Sequence, residues 1–219
     1  AMHCVRVFFT KQGRIRYTSH LDLMRAMQRA VRRSGIPAKY SEGFNPHMQM
    51  TFALPLSLGM ESLCEAMDIK VEDTVTNSEI MEKLNSALPE GLHVFRVAEP
   101  EMKAGAIRWG EFEIRLYFSD TIKERAEKMR IRLEQPELTA VKETKKTTRV
   151  LNLKEFIHDI SVTAGDDCVK VVAVLPAGGE NNINPGLLGQ ALCGASYMMA
   201  EHTSIVRRRL MDAEFQDFR

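Results

Sequence analysis

Apolar and polar residues alternate from Cys4 to Thr10 (C-V-R-V-F-F-T), and the β-branched and aromatic content of that run predicts a strand. Gln12-Gly13 is a turn signal that leads into a second short extended piece, Arg14 to Tyr17. The period then changes. Ser19 offers a helix N-cap with Asp22 three residues on, and His20 to Arg33 carries Leu23, Met24, Met27, Ala30 and Val31 at helical spacing. Gly35 and Pro37 end that helix. Ala38 to Ser41 and Met48 to Leu54 read as an interrupted second strand around the turn-rich Glu42-Gly43-Phe44-Asn45-Pro46, and Leu63 to Val71 as a third. Thr76 or Asn77 caps a second helix, Ser78 to Leu88, and Leu92 to Ala98 is the closing strand. The resulting order β, α, β, β, α, β is that of the ferredoxin-like split unit.

The second half approximates the same order without repeating the residues. Glu99 to Gly110 has no sustained period and reads as a linker, with the lone Trp109 expected to pack at the seam. Strands are expected at Glu111 to Ser119, Thr144 to Leu153, Ser161 to Ala164, Cys168 to Leu175 and Thr203 to Phe215. Helices are expected at Thr121 to Glu134 and, after Asn184-Pro185, from Gly186 to Cys193. The expected architecture is therefore α+β, two tandem ferredoxin-like βαββαβ halves. Residues 1–99 form the N-terminal domain with a basic first helix, 100–110 the linker, and 111–219 the C-terminal domain.

Charge changes this picture more than composition does. The chain has 219 residues and a net charge of only +1. Residues 1–41, however, hold nine basic residues against the single acid Asp22, so the positive charge is concentrated in one supersecondary unit. Four cysteines, Cys4, Cys64, Cys168 and Cys193, stand far apart with no C-x-x-C pair, so no zinc ribbon, redox dithiol or resident metal is expected. No signal peptide precedes Met2 and no apolar run reaches the ~18 residues of a membrane span, which predicts a cytoplasmic protein without membrane contact.

Three groups of residues are candidates for chemistry. On the first helix, Arg25, Arg29, Arg32 and Arg33 fall at i, i+4, i+7 and i+8, a stripe opposite the Met and Leu face, and guanidinium groups match phosphate oxygens. Arg6, Lys11, Arg14 and Arg16 extend that basic surface onto neighbouring segments. His20, in a first helical turn whose macrodipole favours the neutral imidazole, and His47, in a turn, are candidate general bases. Gly178-Gly179-Glu180-Asn181-Asn182 leads to a helix N-terminus and is a candidate anion-binding loop through Gly178, Gly179 and Asn182. Smaller basic clusters are Lys142, Lys145, Lys146 and Arg149, and Arg207-Arg208-Arg209; strand alternation puts Arg207 and Arg209 on one face.

The run Gly13-Arg14-Ile15-Arg16-Tyr17-Thr18-Ser19-His20-Leu21-Asp22-Leu23-Met24-Arg25 is followed by Gly35-Ile36-Pro37, Tyr40-Ser41-Glu42-Gly43-Phe44-Asn45-Pro46-His47 and Ala53-Leu54-Pro55-Leu56-Ser57-Leu58-Gly59. Together they resemble the radical SAM-linked protein family, a domain of unknown function found after, or encoded beside, a radical S-adenosylmethionine protein. Leu175-Pro176-Ala177-Gly178-Gly179 and Asn184-Pro185-Gly186-Leu187-Leu188 fit as well. The resemblance implies a separate radical SAM protein as partner and no activity that could be carried over. The chain lacks the clustered cysteines that hold an iron–sulfur cluster, so it is not expected to be the radical enzyme itself or to carry a cofactor.

Taken together, these readings favour a non-catalytic accessory module that binds RNA or another polyanion. The basic helix and the loops at His20 and at Phe44 to His47 would form the binding face. Two alternatives stand beside it: a metal-independent ribonuclease using His20 or His47, and a protein–protein adaptor whose arginines meet an acidic patch.

Overall fold

Val5, Val7 and Phe9 point to one side of β1 (Met2–Lys11) and are fully buried, as the two-residue period of a strand requires. The computed structural model in which this is seen describes residues 1–145, 147–194 and 199–219. Lys146 lies outside the described residues. Among them the chain is mixed α and β, with four α-helices and antiparallel strand pairing. It divides into two units, Ala1–Ala106 together with Asp217–Arg219, and Ile107–Gln216.

In the first unit β1 is followed by α1 (His20–Arg33), β2 (Met50–Phe52), β3 (Glu61–Glu72), α2 (Asn77–Ala87) and β4 (Leu92–Ala98). β1 pairs with β3 on one side and β4 on the other, and β2 adds to the far side of β3, giving the order β4-β1-β3-β2. Both helices lie on one face. Leu23, Met27, Ala30 and Val31 of α1 and Ile80 and Leu84 of α2 pack on Val5, Val7 and Phe9, with Met67, Ile69 and Val71 of β3 completing the core. The helix ends obey local chemistry. The Ser19 side chain accepts from the Asp22 amide, and Thr76 and Glu79 form a reciprocal capping box.

Two expectations for this unit are corrected. Gly13–Tyr17 is a 3-10 turn rather than an extended piece. Its groups find partners without a strand neighbour: the Gly13 amide donates to Glu61 Oε1 at 2.7 Å, and the Thr18 amide to the Ile15 carbonyl. The second strand is also shorter than Met48–Leu54, with isolated bridges at Ala38–Val71 and Tyr40–Met48 in place of a continuous ladder.

The 3-10 turn is braced from below by Gly91. This glycine has φ +93°, a conformation side chains rarely adopt, and a Cβ there would press on the Gln12 carbonyl oxygen and come within 2.7 Å of Ile15 Cγ2. Gly91→Ala is expected to destabilise the unit by ~1–3 kcal/mol. Urea unfolding measures this, and an unchanged midpoint would show that the turn is not held there.

The second unit runs β5 (Trp109–Tyr117), α3 (Ile122–Glu134), β6 (Thr139–Glu143), β7 (Thr148–Asn152), β8 (Asp159–Ala164), β9 (Cys168–Pro176), α4 (Pro185–Cys193) and β10 (His202–Met211). Its sheet order is β10-β5-β9-β8, with β6 and β7 forming a separate hairpin. Ala126 and Met129 of α3 and Leu188 and Leu192 of α4 are buried against Ile114 and Leu116 of β5 and Val169 and Val171 of β9. The single strand expected over Thr144–Leu153 is replaced by this hairpin, whose turn is closed by the Thr144 amide on the Thr147 carbonyl at 2.8 Å. β10 ends at Met211 and does not run on to Phe215. Asp212 stops it, because its carboxylate accepts from the Glu214 and Gln216 amides and folds the chain into a turn. Trp109 opens β5 and stacks on Phe215 at 5.1 Å, with His158 on the same ring at 3.9 Å.

Candidate nucleic-acid interface

The first helix builds the surface. Because α1 buries Leu23, Met27, Ala30 and Val31, its 3.6-residue period turns Arg25, Arg29 and Arg32 outward, and all three are exposed. Arg25 reaches Asp22 Oδ1 at 3.2 Å, an i, i+3 pair on the surface that is worth little energy and leaves most of the guanidinium free. Arg29 and Arg14 are exposed with no partner among the described residues. Arg32 donates from Nε to the Tyr40 hydroxyl at 3.2 Å and lies over the Tyr40 ring, 5.9 Å from its centroid.

Other members of the predicted basic surface are placed differently. Arg33 turns toward the end of α2, donates to the Ala87 carbonyl and borders a groove with Glu79, Glu82 and Lys83. A cation there satisfies a carbonyl left open at a helix C-terminus. Arg16 is half-buried, 3.4 Å from Glu61, and lies over the Tyr17 ring at 5.0 Å. Arg6 and Lys11 are not surface residues, each being 1% exposed. Arg6 makes a bidentate pair with Asp68 at 2.7 and 2.9 Å, donates to the Met102 and Arg219 main-chain oxygens and stacks on Phe218. Lys11 Nζ donates to the Thr18 carbonyl at 2.9 Å, fixing the entry to α1. The charge run of residues 1–41 is thus divided between the interior and the surface.

The histidines stand in separate settings. His20 is partly buried and meets the edge of Phe52 at 5.1 Å. His47 Nδ1 lies 2.9 Å from Ser41 Oγ, which also accepts from the His47 amide at 3.0 Å. That clamp closes a loop whose tip, Phe44, projects fully into solvent. His47 also borders a cavity of about 370 Å³ with Cys4, Met50, Thr51, Asp68 and Lys70. Burial raises the Cys4 thiol above its ordinary range and the Asp68 carboxylate adds to the rise, so the thiol stays protonated and is a poor nucleophile. Among the described residues no group of three or more His, Cys, Asp and Glu side chains is disposed to hold a metal ion.

In the second unit Gly178 and Gly179 take positive φ, +73° and +67°, and carry the chain toward α4. Lys142 Nζ donates to the Asn182 carbonyl at 3.0 Å, and the Asn184 side chain accepts from the Gly186 amide, so this loop supplies its own caps. Arg207 is buried while Arg209 is exposed. A bulge at Arg208, between the Arg207–Phe112 and Arg209–Glu111 pairs, breaks the alternation that would have put both on one face. Arg208 lies 3.6 Å from Glu111.

Tyr17 and Tyr40 are contact candidates that the charge pattern does not single out. Their signal is the interleaving of aromatic with basic residues, visible in Arg14-Ile15-Arg16-Tyr17.

No helix among the described residues is long and apolar enough to cross a membrane. No curated protein matches the chain. Among solved structures, an unknown protein from Galdieria sulphuraria aligns over 94% of this chain and 96% of its own at 13% identity, with a TM-score of 0.27. A family described as "Uncharacterized protein conserved in bacteria (DUF2344)" matches residues 5–185, from the core of β1 to the first residue of α4, and the chain belongs to that family.

Proposed function

We propose that this chain is a non-catalytic RNA-binding module built from two tandem ferredoxin-like halves. The architectural part rests on strand order: β4-β1-β3-β2 in the first unit and β10-β5-β9-β8 in the second are the same arrangement once β6 and β7 are treated as an insertion. The functional part rests on one observation. Arg25, Arg29 and Arg32 are exposed along a single helix face, with Arg14 exposed in the segment before it, and among the described residues Asp22 is the one acid paired with any of them. Guanidinium groups spaced along about 10 Å of helix suit a phosphate backbone.

A radical SAM protein as the partner to which the RNA is presented rests on the motif resemblance of residues 13–59 alone. The ribonuclease alternative has less support, since His20 and His47 engage Phe52 and Ser41 rather than a carboxylate that would orient an imidazole.

The reading is tested by titrating the purified protein against labelled RNA at increasing salt. Affinity should fall linearly on logarithmic axes, and the RNA should remain intact in chelator. Cleavage in chelator would favour the nuclease, and absence of binding at low salt would leave the adaptor.

A further inference from the structure

We propose that the surface is built for unpaired rather than duplex RNA, with Phe44, backed by the Arg32–Tyr40 pair, stacking on an exposed base. This inference rests on the RNA reading and specifies its substrate. The first observation is Phe44 itself, a fully exposed aromatic ring at the tip of the loop Ser41–His47. Single exposed apolar residues are common on proteins, but this one stands on a loop whose base is closed. The Ser41 amide donates to the His47 carbonyl at 2.8 Å, Ser41 Oγ takes the His47 amide, and the Gln49 amide donates to the Lys39 carbonyl at 2.9 Å. Gly43, at φ +121°, makes the bend that carries the ring outward. A loop already closed at its base has less backbone freedom to lose when the ring stacks.

The second observation is what stands beside the loop. Tyr40, the residue before the clamp, is exposed and carries the Arg32 guanidinium. The loop tip is three residues from Ser41, so Phe44 can stand no more than about 10 Å from that base. At the opposite end of α1 the arrangement recurs, with Arg16 laid over an exposed Tyr17. Between the two aromatic stations run Arg25 and Arg29.

Exposed aromatic rings interleaved with guanidinium groups are the elements that hold single strands, because every base has a π-face and every linkage a phosphate. In an A-form duplex the base faces are already stacked on one another and the major groove is too narrow to admit side chains. A ring presented in this way would therefore gain nothing from duplex.

The test compares wild type, Phe44→Ala and Phe44→Tyr against a short labelled RNA, single-stranded and annealed to its complement. Phe44 touches no core residue, so all three proteins should unfold at the same temperature. Wild type should prefer the single strand, Phe44→Ala should lose roughly tenfold in single-strand affinity with duplex binding and salt dependence unchanged, and Phe44→Tyr should retain wild-type affinity. Equal loss on single strand and duplex, or no loss, would overturn the stacking role. If Phe44→Ala is silent while arginine substitutions weaken binding, the stacking inference fails and the RNA reading stands. If wild type binds neither RNA, both fall.

Discussion

Replacing Arg6 by methionine should destabilise the protein by about 3–5 kcal/mol, because it leaves the Asp68 carboxylate without the guanidinium that now neutralises it. Arg6 is 1% exposed and Asp68 26%, and their two contacts at 2.7 and 2.9 Å have the paired geometry that makes an arginine–carboxylate bridge strong. The same guanidinium holds the Met102 and Arg219 main-chain oxygens and covers Phe218. Its loss should therefore also loosen residues 217–219, whose amides would exchange faster with deuterium. In a chain of this length the thermal midpoint should fall by about 10 °C. Changing both partners, Arg6→Met with Asp68→Leu, should recover part of the loss, since no buried charge is then stranded. A single substitution that moves the midpoint by less than about 2 °C would mean that Arg6 is not the internal tie described above.

Arg6 also marks where sequence reasoning stopped. Its charge is visible in the sequence and so is its place on the strand face opposite Val5 and Val7. That this face is covered by Phe218 and Arg219 depends on residues more than 200 positions away. The limits of α1, β4 and α2 were readable because caps and breakers act over a few residues, and Ser19 and Thr76 do in the fold what their chemistry suggests. Arg14-Ile15-Arg16-Tyr17 looked extended because it alternates, yet Glu61, some 45 residues on, supplies the partner that makes a 3-10 turn cheaper. A bulge moved Arg209 off the face of Arg207 for a similarly non-local reason, its pairing with β5. The arginine face of α1 was legible from period alone. The diversion of Arg33 to α2 was not, since it requires knowing that Ala87 ends a neighbouring helix.

What remains on the surface after Arg6, Lys11 and Arg33 are set aside is smaller than the sequence charge implies but more coherent. Arg14, Arg25, Arg29 and Arg32 are all exposed, and Arg16 and Arg32 each lie over a tyrosine. Exposed helix positions contribute little to stability, and glutamine forms helix about as well as arginine. The triple variant Arg25→Gln, Arg29→Gln, Arg32→Gln should therefore unfold close to the wild-type temperature, the losses being the surface pair with Asp22 and the Tyr40 contact. A functional effect in that variant can be read without a folding correction.

The most direct measurement is the salt dependence of RNA affinity in that triple variant beside wild type. With three phosphate contacts removed, affinity should fall across RNA sequences, and the slope of log affinity against log salt should flatten by roughly two units, at about 0.7 per contact for a single strand. A variant that keeps both wild-type affinity and wild-type slope would contradict the account, leaving the arginines of α1 as a solvated helix face and the proposed interface without its phosphate-binding element.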